Sequence, residues 1–325
     1  MTTIALSVTD ATRRLDDRNV VDHVSFDVID GELLAMVGPS GCGKSTLLRI
    51  VAGLDGAASG RVVLDGVDVT ALPPERRRIG LVFQDHALFP HRSVAQNISF
   101  GLRHLDRRTR AARVDELLEL VRLPGTGTRY PHELSGGEQQ RIALARALAP
   151  DPAVVLLDEP FASLDPSLRD DVRTDVIAAL RERNAAAVLV THDREEALSL
   201  GDRVAVMSAG QLLQVGRPVD VYERPVDRFV AEFLGDASFL PDESGDPSHG
   251  MLMARPHDLT VSAGGDSVVT GRRYLGAAWR YRVRLGDGTE IDADTTAGPG
   301  DAPFAIDDAC TVTVTAAHEL HRLSP

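Results

Sequence analysis

The sequence predicts an α/β core with a mainly parallel sheet, followed by a small all-β domain, and three observations carry that expectation. Apolar runs of strand length alternate with helical periods up to about residue 235. A glycine-rich loop, Gly38-Pro39-Ser40-Gly41-Cys42-Gly43-Lys44-Ser45-Thr46, lies between one such strand and a helix. Beyond residue 235 the composition shifts to short strands separated by Gly and Asp.

Taken in order, residues 4–8 and 20–28 read as antiparallel strands, the second alternating through Val20, Val24, Phe26 and Val28. Asp30-Gly31 turns the chain into Leu33 to Val37, apolar throughout, as a strand buried on both faces should be. Leu47, Leu48, Ile50 and Val51 then recur at helical spacing until Gly53. Arg61 to Gly66 is a further strand, and Ile79 to Phe83 delivers Gln84 at its tip. The preceding triplet Arg76-Arg77-Arg78 reads as a solvated face.

From about 85 to 150 a helical subdomain is expected, its amphipathic stretch carrying Val114, Leu117, Leu118 and Val121. Strands return at Ala153 to Leu157, Ala187 to Val190 and Arg203 to Met207, with a helix over 167–183. Asp236 to Gly250 reads as a linker, and Tyr281 to Leu285 and Thr311 to Val314 are strands of the last domain. The expected division is 1–235 and 236–325.

A net charge of -13 and a pI near 5.2 oppose a nucleic-acid-binding surface, which needs a basic face. Cys42 and Cys310 make no disulfide framework and suit a reducing compartment. No secretory signal opens the chain, and no apolar run of about 18 residues could span a bilayer. Work at a membrane would therefore need other subunits to supply the span.

The loop from Gly38 to Thr46 fits G-x-x-x-x-G-K-[ST], the phosphate-cradling P-loop. Its glycines let successive N–H groups turn inward at a helix N-terminus, where the dipole favours phosphate. Lys44 would reach the β- and γ-phosphates of ATP, and Ser45 would ligate Mg²⁺. Lys44 is the sole lysine in the chain, so every other basic side chain is arginine or histidine. A compact ammonium enters a tight loop where a guanidinium fork does not fit.

Val154 to Leu157 ends in Asp158-Glu159, a strand tip bearing paired carboxylates. Asp158 would hold Mg²⁺, and Glu159 would orient and deprotonate the attacking water. In Leu134-Ser135-Gly136-Gly137-Glu138, Ser135 can cap a helix whose first turn is bare glycine. Paired glycines there cost about 1 kcal/mol each relative to alanine, so something is expected to approach that backbone closely.

With these residues the chain resembles the nucleotide-binding subunits of ABC transporters, over residues 1 to about 235. The resemblance implies an ABC-type P-loop NTPase fold in which Leu134 to Arg141 is the signature that grips ATP bound to a second copy. It further implies that Gln84 senses Mg²⁺ and leads the segment facing the membrane subunits. Ser163-Leu164-Asp165 then matches the D-loop, and His192 the switch histidine at the γ-phosphate. Where such importers stack an aromatic on adenine, counting back from Gly31-Glu32 gives Leu15. Weaker discrimination of ATP from GTP follows.

Val221 to Pro225, Phe229 to Gly235, and Ala254 to Leu259 are similar to importers carrying a C-terminal TOBE-type, OB-like regulatory domain. Arg129 to Ser135, Ala147 to Pro152 and Thr191 to Leu198 most resemble the ferric-iron importer ATPases. The implied protein is an ATPase at the cytoplasmic face of the inner membrane, working as a homodimer with two integral permease subunits and, indirectly, a solute-binding protein. Fe³⁺ is the expected solute, with a polyamine, a sugar, or sulfate or another anion as the alternative. A soluble ABC ATPase outside transport is a further reading, and the chain shows neither the coiled coils nor the paired ATPase domains of that class. The β domain offers no Cys/His cluster for sensing iron directly.

Overall fold

The computed structural model describes residues 3–241, 251–296, 303–315 and 320–323. The chain divides into two compact units, Met1–Pro218 and Val219–Pro325.

In the first unit, β1 (Ile4–Leu15), β2 (Arg18–Ile29), β4 (Ser59–Leu64) and β5 (Val67–Asp68) form an antiparallel sheet ordered β2-β1-β4-β5. The first two strands are longer than sequence periodicity indicated, because register shifts along β1 break its alternation. Asp16 and Asp17, at φ 44° and 64°, close this hairpin in the primed-turn geometry that matches strand twist.

The second sheet contains β3 (Leu33–Val37), β6 (Ile79–Val82), β7 (Val154–Asp158), β8 (Ala186–Thr191), β9 (Arg203–Ser208) and β10 (Gln211–Gly216). Its order is β10-β9-β3-β8-β7-β6, parallel except at β10. Apolar side chains cover both faces. One core contains Leu34, Met36, Leu47 and Val51, and the other Leu157, Leu189, Ile142 and Val176. The central strands are buried throughout, which explains their unbroken apolar runs.

The helices of this unit are α1 (Lys44–Ala52), α2 (Val94–Ile98), α3 (Arg107–Leu120), α4 (Gly136–Leu148), α5 (Pro166–Glu182) and α6 (Arg194–Leu200). The arginine triplet matches the expected solvated face at Arg76 and Arg78, which are exposed, and departs from it at Arg77. Arg77 is buried and donates to Ile50 O, Val51 O, Leu72 O and Thr70 O at 2.7–2.9 Å. It satisfies carbonyls at the C-terminus of α1, where a cation complements the helix dipole. Burial lowers the Arg77 pKa.

The second unit opens with α7 (Pro218–Glu223) and α8 (Arg228–Leu234), although Pro218 itself belongs to the first. Its strands are β11 (Ser238–Pro241), β12 (Met251–Ala254), β13 (Leu259–Tyr274), β14 (Ala278–Arg284), β15 (Glu290–Thr296), β16 (Ala309–Val314) and β17 (His321–Leu323). They form sheets ordered β11-β12-β17 and β15-β14-β13-β16. Part of the expected linker is therefore strand β11, and residues 242–250 lie outside the described residues. The stretch from Ala254 to Leu259 is the end of one strand, a 3₁₀ turn over Pro256–Asp258 and the start of the next.

The division at Pro218, ahead of the expected 235, has a physical cause in Arg255. Its side chain is 2% exposed and donates to Tyr222 O, Ala231 O, Gly235 O and Asp236 O, with the Tyr222 ring centroid 4.0 Å from its guanidinium carbon. Ala231 also packs with Phe239, Met253 and Leu323. The helices before residue 235 thus share their core with the strands that follow.

Candidate active site

Sheet order assembles the site. Strands β3, β8 and β7 are adjacent, and Val37 registers with Thr191 while Asp158 registers with Val190. The P-loop, the paired carboxylates and His192 therefore emerge at neighbouring carboxyl ends, where α/β sheets hold ligands.

Steric limits shape the P-loop. A Cβ on Gly38 would stand 2.2 Å from Met207 O, and one on Gly43 2.1 Å from Val20 O. Gly43 is also the left-handed N-cap of α1, at φ 108°. Gly41 differs: at φ 78° it is exposed, and a Cβ there would meet no protein atom within 4 Å. Pro39, Ser40 and Thr46 complete the loop, and Cys42 packs beneath it at 6% exposure. Lys44 is 4% exposed, with Nζ donating to Gly38 O at 2.8 Å and Pro39 O at 3.1 Å. The ammonium thus sits within the loop, as a point charge for phosphate requires.

Ser45 Oγ donates to Asp158 Oδ1 at 2.9 Å. A hydroxyl beside a carboxylate is a hard-oxygen donor set that fits Mg²⁺. Burial raises the Asp158 pKa, the Ser45 hydrogen bond opposes that rise, and the Glu159 charge adds to it. Glu159 adopts a left-handed φ of 46°, and its N–H donates to Val190 O. That backbone turns the side chain toward His192, whose Nδ1 lies 3.0 Å from Glu159 Oε2. Two consecutive carboxylates therefore have separate partners, a metal-type oxygen site for Asp158 and an imidazole for Glu159.

Gln84 is exposed just beyond β6, and its carbonyl accepts from Ser163 Oγ at 3.3 Å. Asp165 is the N-cap residue of α5 but makes no side-chain cap bond. At the start of α4, Ser135 and Glu138 form a reciprocal capping box: Glu138 N donates to Ser135 Oγ at 3.3 Å, and Ser135 N to Glu138 Oε2 at 2.8 Å. The Ser135 N–H bond leads the interactions that lower the Glu138 pKa. Glu138 consequently holds the cap and offers no donor to a phosphate.

The glycine pair divides into separate roles. A Cβ on Gly137 would lie 2.7 Å from Val172 Cγ2, so α5 already fills that space from within the same chain. A Cβ on exposed Gly136 would make only an ordinary 3.7 Å contact with Leu164. The expectation that both glycines admit an outside group narrows to Gly136.

Leu15 ends β1 at 45% exposure. Missed entirely by the sequence reading were the buried contacts behind Gln84. His86 Nδ1 is 2.6 Å from Gln140 Oε1, and Arg146 donates to His86 O and Ala87 O. His86 and Ala87 both have positive φ, so α4 holds a strained loop beside Gln84.

The ABC transporter family model matches residues 21–162, and the TOBE domain model matches 252–320. The spermidine/putrescine import ATP-binding protein of Pseudomonas fluorescens is 48% identical over 264 residues, covering 79% of this chain and 73% of that protein. The chain belongs to the ABC importer ATP-binding subunits. The sulfate/thiosulfate import ATP-binding protein of Mycobacterium tuberculosis is 49% identical over 262 residues, covering 80% of this chain and 72% of the relative. That of Nocardia farcinica is 44% identical over 310 residues, covering 91% and 93%. As an ABC import subunit with a TOBE domain, the chain is an ATPase. The expected kinship with ferric-iron importers is not what these relatives carry: their names specify polyamine or sulfate/thiosulfate import.

Proposed function

We propose that this subunit hydrolyses Mg-ATP as a head-to-tail pair of copies and powers uptake of a sulfate-class oxyanion through two membrane permease subunits. The observation supporting the hydrolytic centre is the division of partners at the β7 tip, Asp158 on Ser45 and Glu159 on His192.

The P-loop amides and Lys44 bind and orient the β- and γ-phosphates. Ser45, Asp158 and Gln84 are the residues that would hold Mg²⁺, which would supply charge neutralisation at the phosphate oxygens. Glu159 accepts a proton from the attacking water, and His192 fixes that carboxylate and faces the γ-phosphate. Ser135, whose hydroxyl oxygen already accepts the capping bond, retains its hydrogen to donate to the other copy's γ-phosphate. Exposed Gly136 lets that phosphate approach the N-terminus of α4. Asp165, uncommitted as a cap, serves the same junction. Leu15 gives the base apolar contact without stacking.

No helix among the described residues is long and apolar enough to cross a membrane. From the kinship with import ATP-binding subunits we place this subunit on the cytoplasmic face of the inner membrane, docked on the permease pair through the segment after Gln84. A solute-binding protein delivers cargo to that complex, and nucleic acid is not a partner. The oxyanion reading follows the Nocardia farcinica relative, which aligns across both units. A polyamine is the second reading, favoured by the Pseudomonas fluorescens relative. Fe³⁺ finds no support in either.

A strain deleted for this chain, complemented with wild type or Glu159→Gln, tests the reading through uptake of labelled sulfate and spermidine. Wild-type complementation should restore sulfate uptake and Glu159→Gln should not. Restoration of spermidine alone would move the assignment to polyamines, and restoration of neither would reject both.

A further inference from the structure

Val172 and Arg173 are consecutive on α5 and support different halves of the site. Val172 is the side chain that occupies the space above Gly137. Arg173 points elsewhere: its Nε donates to Glu196 Oε1 at 3.1 Å, and Nη2 makes a second, shorter bond to the same oxygen. Nη2 also reaches Asp193 Oδ2 at 3.2 Å, and Nη1 reaches Asp170 Oδ1 at 3.1 Å. The Phe161 ring lies 6.0 Å from the guanidinium carbon. Arg173 and Glu196 side chains are only 17% and 6% exposed.

The network continues to both neighbours of His192. Thr191 Oγ1 donates to Glu196 Oε2 at 2.6 Å and accepts from Asp193 N at 3.0 Å. Asp193 Oδ1 caps α6 by accepting from Glu195 N and Glu196 N. His192, between them, is exposed and makes its contact with Glu159. Among the described residues Glu159 is the ring's hydrogen-bond partner, so the exposed imidazole takes its position from its backbone, which Arg173 holds through Asp193 on one side and, by way of Glu196, through Thr191 on the other.

We propose that Arg173 is a positioning residue for hydrolysis: with Glu196 it locks the 191–196 segment so that His192 meets Glu159. It further ties that segment to the helix that seats the start of α4. This rests on the hydrolytic role given to His192 above. A buried pair can be exchanged for apolar side chains of similar volume without loss of folding, whereas removal of one partner strands a charge. The test is therefore Arg173→Met with Glu196→Met in the full chain, compared in wild-type and His192→Ala backgrounds.

Displacing a reacting group by about 1 Å costs about a hundredfold in rate. In the wild-type background kcat should fall between about tenfold and a hundredfold, with KM for ATP within about twofold. In the His192→Ala background the paired change should add no further loss. Equal losses in both backgrounds, or an unchanged kcat, would overturn the positioning role alone. Full activity in His192→Ala by itself would overturn the hydrolytic reading as well. Thermal melting monitors folding. Arg173→Lys, which keeps the charge paired, gives the same comparison should the double variant not fold: a partial loss with His192 and none without it supports the role, and equal losses reject it.

Discussion

Gly136→Ala separates what a glycine does for its own chain from what it does for a second copy. The new methyl would rest 3.7 Å from Leu164 Cδ2, an ordinary contact, on a residue exposed in the first turn of α4. Helix propensity favours alanine there by up to about 1 kcal/mol, and for a domain of this size that raises Tm by about 2–4 °C. In the proposed head-to-tail pair, the same methyl occupies the approach to the helix N-terminus that a phosphate from the other copy needs. ATPase activity should therefore fall at least about tenfold, about 1.4 kcal/mol in the transition state, while stability rises. Gly137→Ala should do something different: its Cβ must displace Val172 from 2.7 Å, an overpacking cost of about 1–3 kcal/mol set against the same propensity gain. Calorimetry paired with a phosphate-release assay distinguishes them. A Gly136→Ala protein that hydrolyses ATP at the wild-type rate would refute the reasoning, because no phosphate would then meet that backbone.

Three further outcomes follow from the site. Because burial raises the Asp158 pKa, its proton begins to compete with Mg²⁺ at a higher pH than for an ordinary carboxylate. The Mg²⁺ concentration that gives half the maximal rate should rise as pH is lowered, and excess metal should carry the acid limb to lower pH; an acid limb insensitive to Mg²⁺ concentration would count against it. Leu15→Tyr should raise ATP-over-GTP preference by about 0.5–1.5 kcal/mol, or about two- to tenfold, in a competition assay; an unchanged ratio would remove Leu15 from the base contact. Burial lowers the His86 pKa, so the unfolded chain binds more protons and stability falls as pH drops through the usual histidine range. His86→Phe should flatten that decline in denaturant melts across pH 5–7, and an equally steep decline would assign it to other groups.

Much of the α/β core was legible because the strands that matter are buried on both faces, and unbroken apolar runs such as Leu33 to Val37 mark them. The P-loop, the paired carboxylates and Ser135 could be placed because each follows or opens a regular element. Position in the chain did not reveal what lies behind them. Arg77 looked like one of three solvated cations, and only the folded α1 terminus shows why the middle one is buried. Gly137 looked like room for a ligand, whereas Val172, distant in sequence, takes that room. The unit boundary also rests on a long-range anchor: Arg255 draws α7 and α8 onto strands that follow, where composition suggested a break at 235. The Arg173 network escaped for the same reason, since Glu196 lies on α6 and Asp193 at its cap.

The most direct test of the account is the oligomeric state of Glu159→Gln under saturating Mg-ATP, measured by sedimentation or light scattering. With water activation removed and the nucleotide retained, the variant should become a stable dimer that dissociates when ATP is withdrawn. A protein that binds Mg-ATP fully and stays monomeric would contradict a hydrolytic centre shared between copies.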